Sequence, residues 1–239
     1  MVCFDVETLI AELDAIAEAT ITLVERQPVV QEWLAGRPDR ARVFAFQAQL
    51  YHQVAQTVPE LTGCARTCAR LAADEPMYGL LAQHFARHAV GESEPAPHDV
   101  LLLEDLRGQG FPVDRLPPPS PPVQEYLARG AWAMEHAPLQ EIGRAYVLEA
   151  LGQRLAPRAV GALAPAADGR AADTFYQVHA EADRPGQGHV DQDLAILREL
   201  SAYPAFAARA GDVLTGARHV QEYMRALWAY LDAEANAPA

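Results

Sequence analysis

The sequence predicts an all-α protein, and three observations lead there. Half of its 239 residues are hydrophobic, Ala and Leu dominate that half, and β-branched residues are sparse. Ala and Leu lose little conformational freedom on entering a helix, whereas β-branched side chains lose more. Apolar residues also recur at helical spacing through most of the chain. At this length roughly three quarters of the unfolded surface can be buried, so residues 1–239 are expected to form a single domain around one core.

The first helix is read from Phe4 to Arg26, where Leu9, Leu13, Ile16, Ile21, Leu23 and Val24 form one stripe with acids opposite. Pro28 starts a shorter piece through Trp33, and Gly36, Arg37 and Pro38 stop it. A long helix follows from Asp39, and Pro59 is expected to kink or break it before a second piece from Glu60 to Ala73. Helices are then expected over Pro76 to Glu92 and His98 to Gln109, separated by a proline-bearing break. The five prolines between Leu116 and Pro122 read as an extended surface connection. Helices Val123 to His136 and Leu139 to Leu155 come next, then a small-residue loop at Pro165 to Gly169. The chain closes with Ala171 to Ala182, Val190 to Leu200 and Pro204 to Ala235, the last interrupted near Gly211 or Gly216.

Acidic residues outnumber basic ones 32 to 19, a formal charge of −13. Such a surface repels phosphate, which argues against nucleic acid and anionic membranes as partners. No apolar run approaches the roughly 20 residues of a membrane span, and a cytoplasmic location is expected. Three cysteines, Cys3, Cys64 and Cys68, are too few for a disulfide framework. Cys64 and Cys68 lack a second ligand pair at zinc spacing and read as small core residues.

Glu149 is the most informative residue, because Tyr146, Val147, Leu148, Ala150 and Leu151 surround it with apolar neighbours. An ionised carboxylate buried there costs several kcal/mol unless a cation answers it. Arg144 or Arg154 could be that cation. His84, His88 and Glu92 are spaced four apart, so each step turns about 40° and all three share one helix face. His98 opens the next helix. His179 and Asp183, again four apart, can point two ligand atoms at one ion, with His189 following. Oxygen and nitrogen donors without thiolate favour iron or manganese, and carboxylates from separate helices are the inventory of a bundle di-metal site.

The order of these elements resembles the heme-oxygenase-like di-iron oxidases, or iron-containing redox enzymes, relatives of TenA and PqqC proteins. The resemblance runs from about Tyr51 to Leu197. It rests on Tyr51 and His52, on His88, Glu92 and His98 with Asp105, Leu106 and Gly110, on Gly143, Tyr146 and Glu149, and on His179 and Asp183. It implies a heme-oxygenase-like multi-helix bundle holding two iron ions, with manganese as a substitute. The implied metal ligands are Glu92, His98, Glu149, His179, Asp183 and His189, of which Glu149, His179 and Asp183 carry the reaction. Two spacings depart from the family: five residues rather than two separate Asp183 from His189, and prolines separate Glu92 from His98. Either the helices break locally and still deliver the ligands, or one metal position is lost, with His88 as a substitute ligand.

The resemblance further implies an oxygen-dependent oxidase or oxygenase acting on an amino acid, amine or fatty-acid-like molecule by N-oxygenation, desaturation or carbon–carbon cleavage. Phe85, Tyr146, Phe175 and Tyr176 would line its pocket. Arg66 or Arg70 could hold a substrate carboxylate, although solvent-facing arginines are the ordinary reading. The expected partners are a small-molecule substrate and dioxygen, with a homodimer among the admissible assemblies. Two alternatives stand beside it: a metal-free TenA-like or PqqC-like enzyme acting on a small heterocycle, with Cys64 or Cys68 as nucleophile, and a non-catalytic helical interaction module.

Overall fold

The computed structural model describes residues 5–162, 173–182, 184, 186, 188–236. Eleven α-helices and one short 3₁₀ turn account for its regular structure, with no strand among the described residues.

Helix α1 (Val6–Glu25) is capped by the Asp5 carboxylate, which accepts from the Glu7 amide, and α2 (Pro28–Leu34) places Pro at its first position. Gly36 follows in the left-handed region, φ 71°, where glycine alone carries no steric cost. Helix α3 (Arg40–Leu71) starts at Asp39, whose side chain accepts from the amides of Ala41 and Arg42. It runs through Pro59 without a break, contrary to the expectation from sequence. The proline forfeits one backbone hydrogen bond, but α3 packs along α4 (Met77–Gly91) and α6 (Pro121–His136), which hold both halves in line.

Helix α5 (His98–Gly108) leads to the 3₁₀ turn and the proline-rich connection. That connection is clamped by α3: the His52 imidazole bonds the Pro117 carbonyl at 2.8 Å, Gln49 donates to Pro118, and the Ser120 amide donates to Gln49. Five prolines remove local backbone N–H donors, so neighbouring side chains satisfy the carbonyls.

Helix α7 (Leu139–Ala159) is the axis of the molecule, touching α1, α2, α6, α8 (Thr174–Ala182), α9 (His189–Leu200) and α11 (Ala210–Ala235). A short α10 (Pro204–Ala207) precedes α11. The interruption expected near Gly211 or Gly216 falls instead at Ala208 and Arg209, and α11 is continuous through both glycines. Gly216 has a packing role: a β-carbon there would lie 1.8 Å from the Gln140 carbonyl oxygen. Gly143 answers it, since its β-carbon would meet the Val213 carbonyl at 1.9 Å. The two glycines let the α7 and α11 backbones approach closely, and the core builds around that crossing. The loop read at Pro165 to Gly169 lies outside the described residues. No helix among the described residues is long and apolar enough to cross a membrane.

Candidate metal centre

The stripe expected from spacing is present: His84 and His88 are buried on α4, and Glu92 is buried at its C-terminal cap. The proline-bearing break after Glu92 folds back within six residues, so that His98, first residue of α5, bonds Glu92 Oε2 through Nδ1 at 2.9 Å. The extra residues before His189 have the same outcome, because α9 begins on His189 and its Nδ1 lies 3.4 Å from Glu149 Oε2. The first departure in spacing is thus absorbed by a local helix break that brings Glu92 and His98 together, and after the second His189 still reaches Glu149. His179 on α8 completes the set, its ring centroid 4.6 Å from that of His98. Asp183 lies outside the described residues.

These residues form two groups that share one carboxylate. One ligand atom from each of Glu92, His98 and His179 lies within 4.8 Å of the others, and the same holds for His88, Glu92, Glu149 and His189. Donors bound to one ion at about 2.0–2.2 Å lie roughly 3–4 Å from one another, so modest contraction brings either group into a ligand sphere. Glu92 Oε1 is buried without a hydrogen-bond partner among the described residues, 3.8 Å from His88 Nε2 and 3.9 Å from His189 Nδ1. An orphaned carboxylate oxygen between two imidazoles fits a cation and is costly without one.

Electrostatics carry the same message. Burial pushes the His88 imidazolium down, but the hydrogen bond and charge of Glu149 outweigh it and raise His88 to about 9. Burial would raise the Glu149 carboxyl, yet hydrogen bonds from His189 and His88 hold it well below its ordinary value. Protons on imidazoles answer the buried carboxylates here, a duty that a divalent cation performs with release of those protons. The cation for Glu149 is therefore neither arginine expected from sequence. Arg144 bonds Glu60 at 3.0 Å and Arg154 bonds Glu18 on the surface at 3.0 Å. Each is five residues from Glu149, about 140° around the helix, and so faces elsewhere.

Outer contacts hold the ligands in place. The His179 Nδ1 atom bonds the Phe175 carbonyl at 2.8 Å, which leaves Nε2 toward the cluster. The buried Asp105 carboxylate accepts the Phe175 amide at 2.8 Å and so anchors the first turn of α8 from α5. Asp193, missed in the sequence, is fully buried and bonds His84 Nε2 at 2.9 Å, and with His84 and His88 it forms a third close group. Its signal was present as His189 and Asp193 four apart, one helical turn on α9. A carboxylate behind an imidazole fixes the orientation of the ring.

A cavity of about 160 Å³ opens beside the cluster, with Glu92, Glu149 and His179 at one end. Gln53 and Thr57 add polar groups, and the rest of its walls is mostly apolar, including Trp33, Phe46, Leu148, Phe175, Tyr176 and Met224. Phe175 and Tyr176 are among its lining residues. Phe85 and Tyr146 are not: Phe85 is fully buried in the core, and the Tyr146 hydroxyl bonds Asp14 of α1, on another side of α7. Arg66 and Arg70 are exposed on α3 and lie outside these walls. Cys64 and Cys68 are fully buried and also outside them. Burial pushes both thiols up, Cys68 to about 12.

No family model matches the sequence, and no curated protein matches it. Solved structures do. A domain of unknown function with a heme oxygenase-like fold from Shewanella denitrificans superposes with a TM-score of 0.71 at 16% identity, covering 98% of this chain and 97% of that one. A TenA homolog from Pseudomonas syringae pv. tomato superposes with a TM-score of 0.70 at 10% identity, covering 95% and 90%. The chain has the heme-oxygenase-like fold.

Proposed function

We propose that the protein is a non-heme di-iron, oxygen-dependent oxidase or oxygenase acting on a small molecule with an apolar, fatty-acid-like body. The observation that carries the reading is the sharing of Glu92 between two largely buried, metal-sized groups that open onto a mostly apolar cavity. Glu92, His98 and His179 would hold one ion, and Asp183, four residues beyond His179 in sequence and outside the described residues, is a further candidate ligand. His88, Glu92, Glu149 and His189 would hold the other. Iron at these positions supplies the electrons that reduce dioxygen, chemistry that side chains alone lack.

The chain's own residues do the rest. Leu148, Phe175, Tyr176 and Met224 hold the substrate body and keep water from the reacting end. Among the described residues neither Lys nor Arg lines the cavity, so a separate substrate carboxylate would find no side-chain cation there, and the polar end of the substrate would sit at Glu92, Glu149 and His179. That arrangement favours a chain-like acid or amine over a compact polar amino acid. A metal-free TenA-like reaction through a cysteine is poorly supported, since both described thiols are buried away from the cavity and held protonated. A pure interaction module leaves the buried imidazole and carboxylate cluster without a purpose.

The test is oxygen consumption by anaerobically iron-loaded protein, measured with straight-chain acids and amines of increasing length against a panel of polar amino acids. Consumption that rises with chain length supports the reading. Two bound irons with no substrate-dependent consumption would sink the oxidase, and preference for polar amino acids would sink the apolar substrate.

A further inference from the structure

A second buried polar cluster lies against the metal centre. Arg144, fully buried on α7, bonds Glu60 of α3 at 3.0 Å, lies 3.5 Å from Glu141, and stacks over the Tyr126 ring of α6 at 4.3 Å. Gly130 makes the space, since a β-carbon there would fall 2.1 Å from Arg144 Nη1 and 2.5 Å from Glu60 Oε1. Two carboxylates thus answer one guanidinium. Burying the surplus negative charge costs several kcal/mol, and a shared proton removes that cost.

A small cavity of about 20 Å³ joins this cluster to the metal ligands, with Glu60, Glu141 and Tyr126 at one end and His88 and Glu149 at the other. A water needs roughly 10–15 Å³ and two to four polar partners. The partners are present: Glu141 Oε2 and Gln53 Oε1 line the cavity, each buried without a hydrogen-bond partner among the described residues. Glu60 is 12% exposed at its side chain, so the cluster also reaches the surface.

We propose that Glu60 and Glu141 hold one proton between them and pass it, through a water in this cavity, to the His88 and Glu149 side of the metal centre. The inference rests on the di-iron reading above, because oxygen reduction consumes protons and the mostly apolar substrate cavity has few groups to supply them. The acid O–H bond breaks as the water gains that proton and releases another to a Glu149 carboxylate oxygen, the acceptor on that side of the cavity. The ionised pair then regains a proton from solvent at Glu60. The groups facing the pair are Arg144, Tyr126, His88, Asp193 and the Cys64 thiol. Burial first, then the charge of Glu141, raises Glu60 to about 8 despite Arg144, in keeping with a proton held at neutral pH.

The near-isosteric variants Glu60→Gln and Glu141→Gln test it with two readouts. Infrared difference spectra of the metal-free protein at pH 7 should show the carbonyl stretch of a neutral carboxylic acid in wild type and its loss in Glu60→Gln. Iron-loaded variants with wild-type iron content should consume oxygen about 10²-fold more slowly, the low end for a lost proton-transfer group. They should also lose the alkaline fall in rate that deprotonation of the pair produces in wild type. Absence of the neutral-acid band, or full oxygen consumption by both variants, overturns the relay. A merely structural cluster would lower the melting temperature and leave the rate and its pH profile unchanged. Failure of wild type to bind iron would overturn the di-iron reading and the relay with it, and the metal-free infrared band would still report separately whether the proton is held.

Discussion

Removing the Glu92 side chain should empty both metal positions, whereas removing other ligands should empty one. Glu92 is the residue common to the group of three and the group of four. In Glu92→Ala the first position keeps His98 and His179 among the described donors, and the second keeps His88, Glu149 and His189. Losing only an outer partner of a ligand weakens metal binding roughly 10–100-fold. Loss of a directly bound anionic donor is expected to cost about 100-fold or more at each position. His179→Ala should weaken the first position alone and Glu149→Ala the second alone. The assay is anaerobic equilibrium dialysis against ferrous iron with metal analysis, beside far-ultraviolet circular dichroism to verify the fold. Wild type should bind two ions per chain, the single-position variants one, and Glu92→Ala close to none. A folded Glu92→Ala protein that still holds two ions, or loses only one, would refute the shared carboxylate.

Three further outcomes follow from the geometry. Asp105→Ala leaves the buried Phe175 amide without its acceptor, a loss of about 1–3 kcal/mol, and should weaken the position served by His179 more than that served by Glu149 in the same dialysis assay. Gly216→Val drives a β-carbon to within 1.8 Å of the Gln140 carbonyl, so the urea midpoint should fall with little change in slope, by at least the roughly 1–3 kcal/mol of ordinary overpacking. In the metal-free protein His88 has its folded value raised to about 9, so the stability it contributes is complete below its ordinary value of 6.5 and is lost as pH rises through about 9. Urea midpoints of chelator-treated wild type should drop across that window, and those of His88→Asn should drop less; equal drops would remove the His88 contribution.

Much of the bundle was legible because helical periodicity is a local property. The spacing of four placed His84, His88 and Glu92 on one face, and the caps at Asp39, Pro28 and Gly36 marked helix ends correctly. The errors lie where tertiary contact overrides a local signal. Pro59 reads as a breaker, but the helices packed along α3 hold it straight. Gly211 and Gly216 read as weak points, yet Gly216 permits the close α7 and α11 crossing. The candidate site was legible as a set of residue types and illegible as a set of pairings. Which cation answers Glu149 depends on His88 and His189, 61 and 40 residues away, and no local pattern separates them from Arg144. Asp193 pairs with His84 across 109 residues, and the orientation of Tyr146 toward Asp14 depends on the docking of α1.

The most direct test of the whole account is Mössbauer spectroscopy of the wild-type protein reconstituted anaerobically with ferrous iron. Two high-spin ferrous ions per chain, bound at distinct but neighbouring sites and oxidised together when oxygen and a chain-like substrate are admitted, is the expected result. Saturation well below one ion per chain, or iron that stays ferrous under those conditions, would contradict it.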